Sequence, residues 1–131
     1  MRKQAEAWLS ASYYDLLVIE EILSNHNLTH MVAFHAQQAI EKSLKAIIEF
    51  KDKKIPKTHN LIVLNEIANK LISSNLDPDL IIQLNDIYID TRYPTDIGLL
   101  PEGKPDQETA KIFYNFAKEV YTSIKKNIAE K

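Results

Sequence analysis

The sequence predicts an all-α fold, an antiparallel up-and-down bundle of four to five helices. Three observations predict it. Only two glycines occur in 131 residues. Both, Gly98 and Gly103, lie in one short segment with Pro94, Pro101 and Pro105, and nothing before Ile55 is glycine or proline. Chains are punctuated by these two residue types, so a stretch without them reads as long helices. Apolar residues recur at spacings of three and four, the period of a helix with one buried stripe. Nowhere do apolar and polar residues alternate as in a half-buried strand, and no internal repeat is present.

The first helix is expected from Lys3 to about Ser24, with Trp8, Leu9, Ser12, Leu16, Ile19 and Leu23 on its stripe. Ser24-Asn25-His26-Asn27 is a polar break. A second helix is expected to start near Thr29, a candidate N-cap, and to run to about Phe50. Its Ala33, Ala36, Ile40, Leu44, Ile47 and Ile48 share one face, and Ala39, Ala46 and Phe50 form a second strip, as in a helix touched by several neighbours. After a charged loop over 51–57, Thr58 is predicted to cap a third helix carrying Leu61, Leu64, Ala68, Leu71 and Ile72. Pro78 suits the start of a fourth, where its missing N–H costs nothing. That helix holds Leu80, Ile81, Leu84, Ile87 and Tyr88, and is expected to stop near Arg92 because Pro94 disfavours helix at the residue before it. The stretch from Tyr93 to Asp106 reads as irregular. The fifth helix, Gln107 to about Ala129, carries Ala110, Phe113, Ala117, Val120, Ile124 and Ile128 on the cleanest stripe of all.

The length allows one domain, residues 1–131, because two halves would each be too small to bury a core. With 45% apolar and 26% charged residues the chain falls in the ordinary globular range. It contains no cysteine, which excludes disulfides, thiolate metal sites and cysteine nucleophiles. Glycine-rich phosphate loops, nucleophile elbows and dinucleotide fingerprints are excluded for want of glycines. No apolar run reaches the roughly 20 residues of a membrane span. The amino terminus, with Glu6 and Trp8, lacks a signal-peptide pattern, so a cytoplasmic location without membrane contact is expected. Sixteen basic and eighteen acidic residues leave a net charge of −2, which does not demand nucleic acid. The charges are unevenly placed. Lys42, Lys45, Lys51, Lys53, Lys54 and Lys57 outweigh Glu49 and Asp52, whereas eight acids between Asp77 and Glu108 face only Arg92 and Lys104. This pattern reads as two solvated faces, or as a basic patch that meets an anion or an acidic partner.

Three features carry possible chemistry. The second helix bears a polar stripe, His35, Gln38, Lys42, Lys45 and Glu49, with Glu41 beside it. Spacings of three and four stack these groups on one surface. The plain reading is the wet face of a bundle helix; the sharper one is a site whose lysines and glutamine hold a phosphate and a base edge. Arg92 precedes a rigid Tyr93-Pro94 step and either satisfies helix-end carbonyls or binds phosphate bidentately. His59 reads as a helix-end group that packs or bonds locally, with proton transfer as the alternative. His26 and His30 straddle a turn, and no zinc-ligand pattern is completed, so neither a metal nor another cofactor is expected.

Read together, three segments resemble a known family. The run Ala33-Phe34-His35-Ala36-Gln37-Gln38-Ala39-Ile40-Glu41-Lys42-Ser43-Leu44-Lys45-Ala46, then Thr58-His59-Asn60-Leu61, then Arg92-Tyr93-Pro94 are similar to the motifs of the HEPN domain, the higher eukaryotes and prokaryotes nucleotide-binding domain. The resemblance spans nearly the whole chain, including Asp15 in the first helix and the final amphipathic helix. It implies an up-and-down helical bundle, a homodimer, and partnership with a minimal nucleotidyltransferase in a two-gene, toxin–antitoxin-like system. It also implies a nucleotide of the ATP or GTP class held by Gln38, Glu41, Lys42 and Lys45, with His59 and Arg92 nearby. A second branch of the family consists of metal-independent ribonuclease toxins, marked by an arginine followed four to six residues later by a histidine. Here no histidine follows Arg92 and none stands within reach of Arg2. Ribonuclease action at His59 and Arg92 is therefore the alternative, with RNA a less favoured partner, and a purely structural interaction module is the third reading. The homodimer is expected on composition too, since apolar residues occupy more than one face of the second helix and Tyr114 and Tyr121 stand off the main stripe of the fifth.

Overall fold

The computed structural model of the chain describes residues 2–87, 89 and 94–129. Five α-helices order them: α1 (Arg2–Ile22), α2 (Thr29–Phe50), α3 (Leu61–Leu71), α4 (Pro78–Asn85) and α5 (Gln107–Ala129). No strand occurs among the described residues, only an isolated bridge between Leu100 and Gly103. The fold is the predicted all-α bundle.

α2 is its axis. It packs most extensively against α1 and α5 and also meets α3 and α4. Both apolar strips read from its sequence are thereby used: Ala33, Ala36, Ala39, Ile40, Leu44, Ala46, Ile47 and Ile48 are all fully buried. Phe50, at the helix end, is half-buried. α5 presents its whole predicted stripe to this core, Ala110, Phe113, Ala117, Val120, Ile124 and Ile128. α1 buries Ala5, Leu9, Ser12, Asp15, Leu16 and Ile19, while Trp8 and Leu23 are half-buried at its edge.

The helix ends differ in instructive ways from the reading of the sequence. Thr29 does not cap α2. A short 3-10 turn, His26–Leu28, leads straight into the helix, and Thr29 already has helical angles of φ −60° and ψ −33°. An N-cap needs an extended backbone, so Thr29 is the first helical residue and Leu28 stands before it without a side-chain bond. At the other end Lys53 N–H donates to Ile48 O and Asp52 N–H to Glu49 O. These two bonds form a Schellman closure with Asp52 at a left-handed φ of 58°. Thr58 does not cap α3 either. Its Oγ1 accepts from Asn60 N–H, and Asn60 is the cap, accepting from Val63 N–H at 3.1 Å.

α4 begins at Pro78, as expected, with Asp77 accepting from Asp79 and Leu80 N–H. It stops at Asn85, well before Arg92. The last turn tightens through Asp86 N–H to Gln83 O and Ile87 N–H to Leu84 O, while the Asn85 side chain accepts from Leu61 N–H at 2.8 Å. That bond ties the end of α4 to the start of α3. The sequence expectations for Tyr88, Arg92 and Tyr93 lie outside the described residues. Beyond them, Gly98 (φ +81°) packs directly on the backbone of His30.

The residues expected to need a second copy find cover within the chain. Tyr114 is 8% exposed and its hydroxyl donates to Glu20 at 2.6 Å. Tyr121 is half-buried and stacks on Tyr13 with centroids 5.8 Å apart. Exposed apolar residues are grouped instead on α1, at Tyr13, Tyr14, Leu17 and Val18, with Val63, Ile82 and Ile112 exposed singly on α3, α4 and α5.

Candidate functional site

The polar stripe of α2 is not a wet face. It lies in the seam between α1 and the loop that enters α3, and Glu41 and Lys45 are 4% and 8% exposed. Burying such groups is costly unless each is paired, and here each is. Lys45 Nζ donates to Glu41 Oε2 at 2.8 Å and lies 5.4 Å from the centre of the Trp8 ring. His59 Nδ1 meets the same carboxylate at 2.9 Å. Gln37 Nε2 donates to Glu41 Oε1 at 3.3 Å and to the His59 carbonyl at 3.4 Å. Gln38 completes the chain by donating to Gln37 Oε1 at 2.7 Å.

One turn further round α2, a second carboxylate performs the same office. Asp15 of α1 meets His35 Nδ1 at 2.8 Å through Oδ1 and accepts from Lys42 Nζ at 2.7 Å through Oδ2. Below it Ser12 Oγ donates to Ala39 O at 2.7 Å and lies 2.8 Å from Ser43 Oγ, so polar groups pin α1 to α2 both within and beside its apolar stripe. Two carboxylates thus each bridge one lysine and one histidine.

The electrostatics follow from this bridging. Burial alone would push the Glu41 carboxyl up, but hydrogen bonds from Lys45 and His59, the Lys45 charge and Gln37 outweigh it and hold it below the usual carboxylate value. Glu41 is therefore a fixed negative charge at neutral pH. The accessible groups are others: the His59 side chain is 68% exposed and that of Lys42 26%.

Of the residues marked from the sequence, Gln38, Glu41, Lys42, Lys45 and His59 come together on this surface. Arg92 lies outside the described residues. Glu41 and Lys45 are buried and paired with each other, and Glu41 also meets His59. Glu49 stands apart, half-buried beside Trp8 in a shallow recess. Asp15 and Gln37 were not singled out as site residues. The signal for Asp15 was a carboxylate set against the apolar positions Ser12, Leu16 and Ile19; for Gln37 it was a place four residues before Glu41, hence one turn away.

Among the described residues no cluster of three or more histidine, aspartate or glutamate side chains is arranged to hold a metal ion. None of the described helices is long and apolar enough to cross a membrane.

Comparison with known proteins gives one family. Residues 5–128 match the HEPN domain. The chain is also similar to a solved structure described as the crystal structure of an archaeal HEPN homologue, with a TM-score of 0.65 and 23% identity over 95% of this chain and 97% of that one. At that identity the likeness concerns the fold. No curated protein matches the sequence.

Proposed function

Because this chain belongs to the HEPN domain family, we propose that it is a nucleotide-binding protein whose site is the α2 seam. The phosphate-bearing ligand, ATP or GTP in class, is met by His59, Lys42 and Gln38, with Glu41 and Lys45 holding His59 in place and Arg92 contributed from the segment after α4. The observation that supports this reading is the joining of Gln38, Gln37, Glu41, Lys45 and His59 into one continuous hydrogen-bonded set across α2 and the α3 entry. A merely solvated face has no need of buried pairing. The protein acts as a homodimer with a minimal nucleotidyltransferase as its partner in a toxin–antitoxin-like pair in the cytoplasm. The exposed α1 residues Tyr13, Tyr14, Leu17 and Val18 supply an apolar surface for one of these contacts.

Isothermal titration with ATP and with GTP tests the binding role, using wild type and Lys42→Ala. Binding that weakens at least tenfold in the variant supports it. Absence of binding by the free protein and by its complex with the partner overturns it. Light scattering at micromolar concentration tests the dimer, which a monomeric mass contradicts.

A further inference from the structure

Each lysine of the seam has its charge offset by a carboxylate, so Lys42 meets a ligand as a hydrogen-bond donor and not as an unpaired cation. Lys42 stands 2.7 Å from an Asp15 oxygen and Lys45 2.8 Å from a Glu41 oxygen, so two cations and two anions cancel. What the structure adds is a histidine on each carboxylate. A ring anchored through Nδ1 turns its Nε2 edge away from its anchor. At Asp15 that ring is His35, with a side chain only 20% exposed; at Glu41 it is His59, at 68%. His59 therefore offers the more open imidazole edge of the two.

We propose that His59, beside the Lys42 contact, meets the phosphate in its protonated form and adds the positive charge that the paired lysines do not, so that ligand binding takes up a proton. The inference rests on the nucleotide-binding reading above and says which group carries the charge. A neutral ring that donates Nδ1–H to Glu41 leaves Nε2 as a lone pair, which repels phosphate oxygens. A protonated ring donates from both nitrogens at once, Nδ1–H to Glu41 and Nε2–H to the phosphate. Glu41 is suited to hold that imidazolium, because it is buried and Lys45 and Gln37 fix both its oxygens. Lys45 in turn cancels Glu41, so a proton on His59 is a net addition to the charge of this pair. The groups facing His59 from α2 are Glu41, Lys45 behind it and the neutral Gln37. In its own segment Thr58 and Asn60 are uncharged and Lys57 is exposed.

The test is ATP titration calorimetry from pH 6 to pH 8 on full-length wild type, His59→Gln and His26→Gln, the last an exposed histidine outside the network. The terminal phosphate of ATP titrates in this window too, but equally for all three proteins. Wild type and His26→Gln are expected to lose affinity about tenfold more than His59→Gln across the range, as one imidazole gives up its proton. Wild type should also take up more protons than His59→Gln, by about half a proton averaged over the range, when binding heats are compared in buffers of different ionisation enthalpy. If His59→Gln shows the wild-type pH profile and proton uptake, the assignment to His59 is overturned while nucleotide binding stands. If wild type binds neither ATP nor GTP at any pH, the nucleotide-binding reading itself falls. Should His59→Gln lose its helical circular dichroism, the His59 ring-proton resonance in wild type decides. Its titration midpoint moves to higher pH on adding ATP if the proposal holds, and stays in place if it does not.

Discussion

Glu41 in α2 and His59 in the loop before α3, 18 positions apart, meet at 2.9 Å between Oε2 and Nδ1, and Lys45 closes on the same oxygen at 2.8 Å. Replacing Glu41 with Gln leaves the Lys45 ammonium, 10% exposed, without its counter-charge. A cost of about 2–3 kcal/mol at pH 7 is expected from that uncompensated charge, with the exposed His59 contributing little. The sign with pH is fixed by the lowered Glu41 carboxyl. Its stabilisation is complete above the ordinary carboxylate value and is lost as pH falls through the lower, folded value. Urea unfolding at pH 7 and in acid is therefore expected to show a wild-type advantage over Glu41→Gln that shrinks toward zero as the medium is acidified. A constant gap contradicts this.

Much of the bundle was legible because apolar period is a strong signal over long segments. α2 and α5 begin and end where the spacing of residues such as Ile40, Leu44, Phe113 and Val120 placed them. The helix starts were harder, since Thr29, Thr58 and Asn60 are all capable caps and only backbone angles choose among them. At the stop of α4 the Asn85 side chain accepts from Leu61 N–H, a tertiary bond that no local pattern contains. The site was half legible. Lys42, Lys45 and Glu41 stood out by type and spacing. Their burial was not visible, because a polar stripe reads as wet until the neighbouring Asp15 and His59 are seen to cover and pair it. Tyr114 reads as exposed from the sequence for the same reason: its partner Glu20 lies on another helix.

Asp15 is the polar link between α1 and α2, and its loss unpairs two groups at once. Asp15→Asn is expected to cost roughly 1–3 kcal/mol, since both partners are largely shielded from water. A double-mutant cycle with Lys42→Gln checks the cause. Coupling of about 1 kcal/mol is expected for this half-buried pair, and additive effects would mean that Asp15 acts through His35 alone.

His30, in the first turn of α2, gives a second pH dependence of known sign. Burial and then the Lys104 charge push its imidazole below the ordinary histidine value, and its Nδ1 is buried with no hydrogen-bond partner among the described residues. The unfolded chain therefore takes the proton first, so stability is full above the ordinary histidine value and falls as pH drops below it. The ring is only half-buried, so solvent screening limits the loss to roughly 0.5 kcal/mol. Between pH 7.5 and 5.5 wild type is expected to lose that increment in urea melts, and His30→Gln is not. An equal loss in both assigns the pH dependence elsewhere.

The two glycines separate backbone strain from close packing. Both have positive φ, +81° at Gly98 and +117° at Gly103, so alanine at either is strained. No atom of the described residues lies within 4 Å of a Cβ at Gly103, and strain alone, about 1 kcal/mol, is expected there. A Cβ at Gly98 would stand 1.9 Å from the carbonyl oxygen of His30. That oxygen belongs to the backbone of the first turn of α2, so no rotamer change relieves the clash, and the segment carrying Gly98 has to move off the bundle. Gly98→Ala is therefore expected to cost at least about 3 kcal/mol, with faster amide exchange in the first turn of α2. Gly103→Ala should leave that exchange unchanged. Similar stability losses in the two variants would mean that the close approach at His30 adds nothing to the backbone strain.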